Sequence, residues 1–361
     1  MKLRYWFGGV VGLLLVGYLW QAARDLRPFV SVSPLGMNGC RVLHADGLIG
    51  AEDLEFDHTK GTLYVAASNR RPREGSRQAF RPDPGAIFRL TSEADALPQK
   101  MPIEGLFEPL RPHGMSLYLH PNGTRHLFVV HHSLRGERVV LFRIEATQGE
   151  EKLVFLREVS APQFVSLNDV AGAGLESFYV TNDHGRPART GHLVEDFARL
   201  SNASLVYFDG TWVQTVAQGL KYANGVQVSA DRQHVLVAET LAYRIKIFRR
   251  AQDGKLTLSS EKSLDTTPDN FSQDEQGSFL LGAHPSPYLF LRHATKATEK
   301  APSEVLKFRV TPEGSATDFS TVLRDPGNVF SASSVAASHG HRLVVGGVFD
   351  PGVLVCDKTN L

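Results

Sequence analysis

The sequence predicts an all-β fold, a six-bladed β-propeller led by a hydrophobic N-terminal helix. Three observations predict it. First, a short apolar strand recurs six times: LYVA at Leu63, LFVV at Leu127, FYVT at Phe178, VLVA at Val235, FLLG at Phe279 and LVVG at Leu343, at intervals of 44 to 64 residues. Second, most copies follow a polar turn, such as Lys60-Gly61, Asn122-Gly123, Asp231-Arg232 or Glu275-Gln276-Gly277. Many lead into another alternating strand, such as Val139–Ile144 or Arg244–Phe248. Third, helical periodicity is scarce beyond the N-terminus, with one amphipathic candidate at His192–Ser201. Repeats of this length with several strands each indicate a propeller, and six repeats indicate six blades. An irregular pair of β-sandwiches is the competing architecture.

The chain divides into a signal or anchor segment, residues 1–30, and a propeller, residues 31–361. Lys2 and Arg4 precede Tyr5–Trp20, a run without charge, and Arg24 follows it. That run is shorter than the roughly 20 residues of a full span and suits a signal h-region or a signal anchor. Gln21-Ala22-Ala23 is the best cleavage candidate and a weak one, so an uncleaved anchor is expected. Positive charge ahead of the run predicts that the folded part is translocated to the non-cytosolic side of the membrane. The only cysteines, Cys40 and Cys356, flank the repeats. A propeller brings its first and last strands together, and in an oxidising compartment two thiols so placed can pair. Asn122-Gly123-Thr124 and Asn202-Ala203-Ser204 fit glycosylation sequons, which matter only on a eukaryotic secretory route.

The formal charge of +1, with 21% charged residues, lacks the basic excess of a nucleic-acid binder. Chemistry-bearing residues cluster instead between the apolar strands: Glu52-Asp53, Asn168-Asp169, Asn224 and Asp269-Asn270. In a propeller such positions converge on the central channel. Carboxylate and amide oxygens from several blades around one point suit calcium, which takes six to eight oxygen ligands, better than zinc, which prefers His and Cys. Asn224-Gly225 also reads as a type I′ turn, the commonest use of that pair. His113, His131-His132, His184 and His284 form a second set. A histidine beside a metal-bound carbonyl can act as general base, although strand-end histidines are more often structural.

The segments AEDLEF, PHGMSLY, SLNDVAG, FYVTNDHG, YANGVQVS, VAETLAYRIKIF, GAHPSP and SSVAAS, in that order from about Cys40 to Cys356, resemble the paraoxonase/arylesterase family. The resemblance implies calcium-dependent hydrolysis of lactones and aryl esters, and in some members of organophosphates, on a six-bladed propeller with two calcium ions in its channel. It implies one ion held by Glu52, Asn168, Asn224, Asp269 and Asn270, and a buried structural ion held by Asp53, Asp169 and the carbonyl of Met115. It further implies a Cys40–Cys356 disulfide and a retained hydrophobic N-terminus. His113 and His132 match the family's water-activating dyad, His284 a further active-site histidine, and Tyr222 an aromatic wall.

The chain departs from the family in three places. It has His131-His132 where the family has Asn-His, which leaves open which of the two joins the dyad. The arginine-rich stretch Ser68–Gln78 is expected near the channel mouth. The helix candidate is less apolar than a lipoprotein-binding helix. The expected partners are a small lactone or ester and, through the N-terminus, a membrane, with no nucleic acid. Two other functions compete: a sugar lactonase related to gluconolactonases, which a polar pocket would favour over Tyr222, Phe290 and Phe349, and a non-catalytic propeller scaffold.

Overall fold

The computed structural model describes residues 16–18, 20–21, 23–71, 83–91, 93, 96–187 and 189–358. Among the described residues its strands form six sheets; four follow chain order outward from the innermost strand, and the other two do so until an earlier strand of the chain is added at the outer edge. The innermost strands are Ala51–Asp57 in blade 1, Pro112–Leu119 in blade 2, Leu167–Gly172 in blade 3, Ala223–Val228 in blade 4, Thr267–Gln273 in blade 5 and Ser333–His339 in blade 6. They touch one another in cyclic order, the last meeting the first, and so line a central channel. The six-bladed propeller expected from the sequence is the fold observed.

Every copy of the recurring apolar strand is the second strand of its blade. The reason is packing. Successive side chains on a strand point to opposite faces, and each blade is sandwiched between two others, so both faces must be apolar. Leu63 and Val65 join the cluster shared with blade 6, while Tyr64 and Ala66 join the cluster shared with blade 2. Leu127 and Val129 face blade 1, whereas Phe128 and Val130 face blade 3. Around the ring, Val344 of blade 6 packs in the same cluster as Val65 of blade 1.

The seam is closed by the chain's own start. Arg41–Leu43 pairs antiparallel with Val353–Asp357 as the outermost strand of blade 6, Arg41 opposite Val355 and Leu43 opposite Val353. The Cys40–Cys356 disulfide lies beside that pairing, as expected.

Blade 2 has a fifth strand, Ile103–Glu104, parallel to Glu150–Val159. The helix expected at His192–Ser201 runs instead over Arg189–Ala198 (α1) and exposes Leu193, Val194 and Phe197. The sequence expectations contain no counterpart of α2, Pro287–Thr295. Its signal is local: Ser286 caps it by accepting the Leu289 N–H, and Pro287 occupies the first turn, where proline loses nothing.

The apolar run Tyr5–Trp20 lies almost wholly outside the described residues. Among the described residues no helix is long and apolar enough to cross a membrane. Of the arginine-rich stretch, only Ser68–Arg71 is described.

Candidate active site

Each innermost strand holds one residue more than its neighbour, always near the same end. The register slips between Ala51 and Asp53, Pro112 and Met115, Leu167 and Val170, Ala223 and Val226, Pro268 and Phe271, and Ser333 and Val335. Those six slips contain Glu52, His113, Asn168, Asp169, Asn224, Asp269, Asn270 and Ser334. A bulge bends its strand and re-aims side chains; six at one level turn a ring of polar groups toward the channel. Asn224-Gly225 is therefore not a type I′ turn, since neither residue has positive φ. A Cβ on Gly225 would lie 2.5 Å from the Asp269 carbonyl oxygen and 2.8 Å from Asn270 Cα. The glycine is there because the blade 5 backbone passes so close.

The three asparagines share one arrangement. The amide nitrogen of each is tied to protein: Asn168 Nδ2 donates to Asp183 Oδ2 at 3.3 Å, Asn224 Nδ2 to Thr240 Oγ1 at 3.1 Å, and Asn270 Nδ2 to Glu52 Oε1 at 2.7 Å. The amide oxygens of all three, with Glu52 Oε2, are buried and have no hydrogen-bond partner. An unsatisfied buried acceptor costs about 1–3 kcal/mol, so four from blades 1, 3, 4 and 5 describe a socket for a ligand. A donor set made of oxygen alone fits a hard cation such as calcium.

Charge points the same way. Glu52, Asp53, Asp169 and Asp269 are buried. The buried guanidinium of Arg70, hydrogen-bonded to the carbonyls of Gly50, Ser68 and Pro112, interacts with Glu52, Asp269 and Asp53. Burial opposes the charge on Glu52, but His113, Arg70 and Asn270 hold its carboxyl down at about 2. Burial, with Asp169 and Glu52 adding to it, pushes Asp53 well above the usual carboxylate range, and burial lifts Asp169 likewise. Burial outweighs the hydrogen bond from His284 and moves Asp269 up to about 6. Burial and repulsion together raise these groups, and protons or a cation relieve both.

Asp53 and Asp169 face backbone rather than solvent. Asp53 accepts the N–H groups of Leu54 at 2.8 Å and of Met115, in blade 2, at 2.6 Å. Asp169 accepts those of Val170 and of Val226, in blade 4, each at 2.7 Å.

The histidines separate into roles. His113 Nδ1 is 2.8 Å from His132 Nε2, and His132 Nδ1 is 2.8 Å from Glu137 Oε2. Glu137 accepts only, so His132 donates to it, and the Nε2 lone pair of His132 accepts the Nδ1 proton of His113. His113 Nε2 lies 3.5 Å from Glu52 Oε1. Burial, against the pull of Glu52, lowers the His113 pKa. His131 points to the opposite face, fully buried, and accepts the Arg111 N–H at 3.1 Å. Of the adjacent pair, His132 alone meets His113. His284 Nε2 binds Asp269 Oδ2 at 2.8 Å. His184 is held between Asp183 and Asp196, at 2.7 and 3.0 Å, whose bonds outweigh burial and raise it to about 10. It orients Asp183, and through it Asn168. Sequence reasoning missed Glu137, Thr240, Asp183 and Arg70 as supports. TNDHG and AETLAY carry two of them, 15 and 16 residues from the asparagines they hold.

One side of the site is apolar. The His284 ring lies 4.3 Å from Phe290 of α2, and Phe290 lies 5.4 Å from Phe349. The Arg71 guanidinium covers Phe349 at 5.1 Å. Tyr222, beside Asn224, meets His184 edge-on at 5.1 Å.

The model of the arylesterase family matches residues 76–358. Serum paraoxonase/lactonase 3 of Homo sapiens is 30% identical over 94% of this chain and 95% of that protein. Serum paraoxonase/arylesterase 1 of Rattus norvegicus is 28% identical over 96% and 99%. Among solved structures, the calcium-binding protein regucalcin of Agrobacterium tumefaciens superposes with a TM-score of 0.52 at 13% identity, covering 91% of this chain and 95% of that one. A luciferin-regenerating enzyme does so with 0.51 at 13% identity, covering 88% and 95%. At those identities the two structures bear on the fold alone.

Proposed function

The chain belongs to the arylesterase family and is a carboxylic-ester hydrolase, and from that premise we propose that it opens lactones and cleaves aryl esters around calcium held by Glu52, Asn168, Asn224, Asp269 and Asn270. The observation that carries this reading is the trio of asparagines with anchored nitrogens and partnerless buried oxygens. Asp53, Asp169 and the carbonyl of Met115 are assigned to a second, structural ion, a reading supported by the two raised carboxyl groups. When bound, calcium would supply a positive centre for the substrate carbonyl oxygen and for the charge that develops on it.

The chain's own residues do the rest. His113 Nε2 takes a proton from water, and the Nδ1 proton of His113 passes toward His132 Nε2. Glu137 fixes the His132 tautomer and steadies the charge that arrives there. Asp269 is oriented by His284. Phe290 and Phe349 take the apolar part of the substrate, with Tyr222 near Asn224. This wall, with the family relation, favours an apolar lactone or aryl ester over a sugar lactone and over a scaffold without catalysis. The folded part is assigned to the non-cytosolic side, a reading supported by the basic residues before Tyr5–Trp20 and by the disulfide.

The test is a panel of aliphatic lactones, aryl esters and a sugar lactone, run with calcium, with chelator, and with calcium restored. Aliphatic lactones and aryl esters should turn over, stop with chelator and recover. Asp269→Ala should lower the rate at least as much as losing one oxyanion donor does, about 10²–10³-fold. Rates indifferent to chelator would remove the calcium reading, and turnover confined to the sugar lactone would favour the alternative.

A further inference from the structure

A second cluster of ligand-type side chains stands at the other ends of three innermost strands. His58 follows Ala51–Asp57, Glu275 follows Thr267–Gln273, and His339 ends Ser333–His339. The bulged residues sit near the starts of the same strands. At about 3.3 Å per residue, His58 is roughly 20 Å along its strand from Glu52. The cluster therefore opens at the opposite mouth of the channel.

Its geometry is that of a metal site. His58 Nδ1 and His339 Nδ1 are 3.3 Å apart, and His339 Nδ1 is 2.8 Å from Glu275 Oε1. One ligand atom from each of the three lies within 4.8 Å of the others. Two imidazole nitrogens at zinc's usual bond length of about 2.0–2.1 Å stand about 3.3 Å apart in a tetrahedral site.

The outer atoms are already engaged. His58 Nε2 is 3.0 Å from the Gln273 carbonyl oxygen. A carbonyl only accepts, so the ring proton is on Nε2 and the Nδ1 lone pair faces His339. Gly340 N–H donates to Glu275 Oε2 at 3.0 Å and leaves Oε1 for the histidines. Backbone bonds of this kind fix tautomer and orientation in metal sites. Phe56 packs on both rings, with centroids 5.9 and 5.6 Å away, and sets their planes.

We propose that His58, His339 and Glu275 bind one transition-metal ion of the zinc class, with a fourth position open to water. Two imidazoles and one carboxylate suit zinc and not calcium, which requires more oxygens. The ligands come from blades 5, 6 and 1, so the ion would bridge the ring's seam on the face away from the oxygen cluster. An ion that binds only the folded ring stabilises it by mass action.

The experiment uses the full protein saturated with calcium and titrated with zinc chloride, then with cobalt(II) chloride. Calorimetry should give one zinc per chain, thermal unfolding should move up, and cobalt should show the intense visible bands of a tetrahedral site. His58→Gln and His339→Gln should each weaken zinc binding by more than the 10–100-fold that loss of an outer partner alone costs, with ester hydrolysis unchanged. Glu275 is exposed, so Glu275→Gln provides a variant that folds if a histidine change does not, and it too should weaken binding. No zinc uptake by wild-type protein would overturn the proposal and leave the three as a hydrogen-bonded cluster. Uptake unchanged in the variants would overturn it equally, because the zinc would then sit elsewhere.

Discussion

Asp53 and its neighbour Glu52 have different partners and do different work. Asp53 ties blade 1 to blade 2 through the Met115 amide, as Asp169 ties blade 3 to blade 4 through Val226. Glu52 instead presents a free oxygen to the channel. Asp53→Ala removes the acceptor of two buried N–H groups, each costing about 1–3 kcal/mol when orphaned. Its melting temperature should fall both in calcium and in chelator. Glu52→Gln keeps an oxygen for Asn270 and should melt like the wild type in chelator, while losing most of its ester hydrolysis. Thermal unfolding of both variants in both conditions, with rates alongside, checks this; an equal loss of melting temperature would defeat the division. An expectation that these neighbours part company is legible in the sequence from alternation along a strand, although the register slip at Glu52 interrupts that alternation. Which of His131 and His132 meets His113 is not. Alternation says only that they face opposite ways, and the pairing of Pro112–Leu119 with Arg125–Ser133 decides which way is inward.

The element that makes the site is the bulged innermost strand. Its partner, the doubly apolar second strand, is visible in sequence because both its faces are buried. The bulge is invisible there: one extra residue is defined only against the strand beside it. Asn224-Gly225 shows the cost of reading locally. The pair has the residues of a turn, yet it lies in a strand pressed on blade 5. Gly225→Ala should push the Asp269-Asn270 backbone away and with it two of the expected calcium ligands. The expected result is weaker calcium binding, read as a higher calcium concentration for half-maximal hydrolysis, with blade content by circular dichroism unchanged. An alanine variant with wild-type calcium dependence would show that the blade 5 backbone has room to yield.

Across the whole molecule, one seam closes the ring. Arg41–Leu43 completes blade 6, and the disulfide links residues 316 positions apart. Cross-linking so long a loop restricts the unfolded chain, typically contributing about 2–4 kcal/mol. Cys40→Ser should lower the urea midpoint accordingly and make it insensitive to reductant, while hydrolysis at 25 °C persists because the strand pairing and the apolar cluster of blades 6 and 1 remain. A wild-type midpoint that does not respond to reductant would mean the seam holds without its covalent link.

The sequence by itself determined the number of blades, the order of the oxygen-bearing residues and the two cysteines that meet. These follow from periodicity and composition, which a chain carries whether folded or not. It also marked Glu52, Asn168, Asn224, Asp269 and Asn270 as a group. Only the tertiary structure decided which atoms of that group are free, because the acceptors that tie down the amide nitrogens, Asp183, Thr240 and Glu52, are chosen by neighbouring strands and blades. The same holds for His58, Glu275 and His339. Nothing in three separate stretches of sequence announces a cluster; it exists because a closed ring brings the ends of blades 5, 6 and 1 to one mouth of the channel.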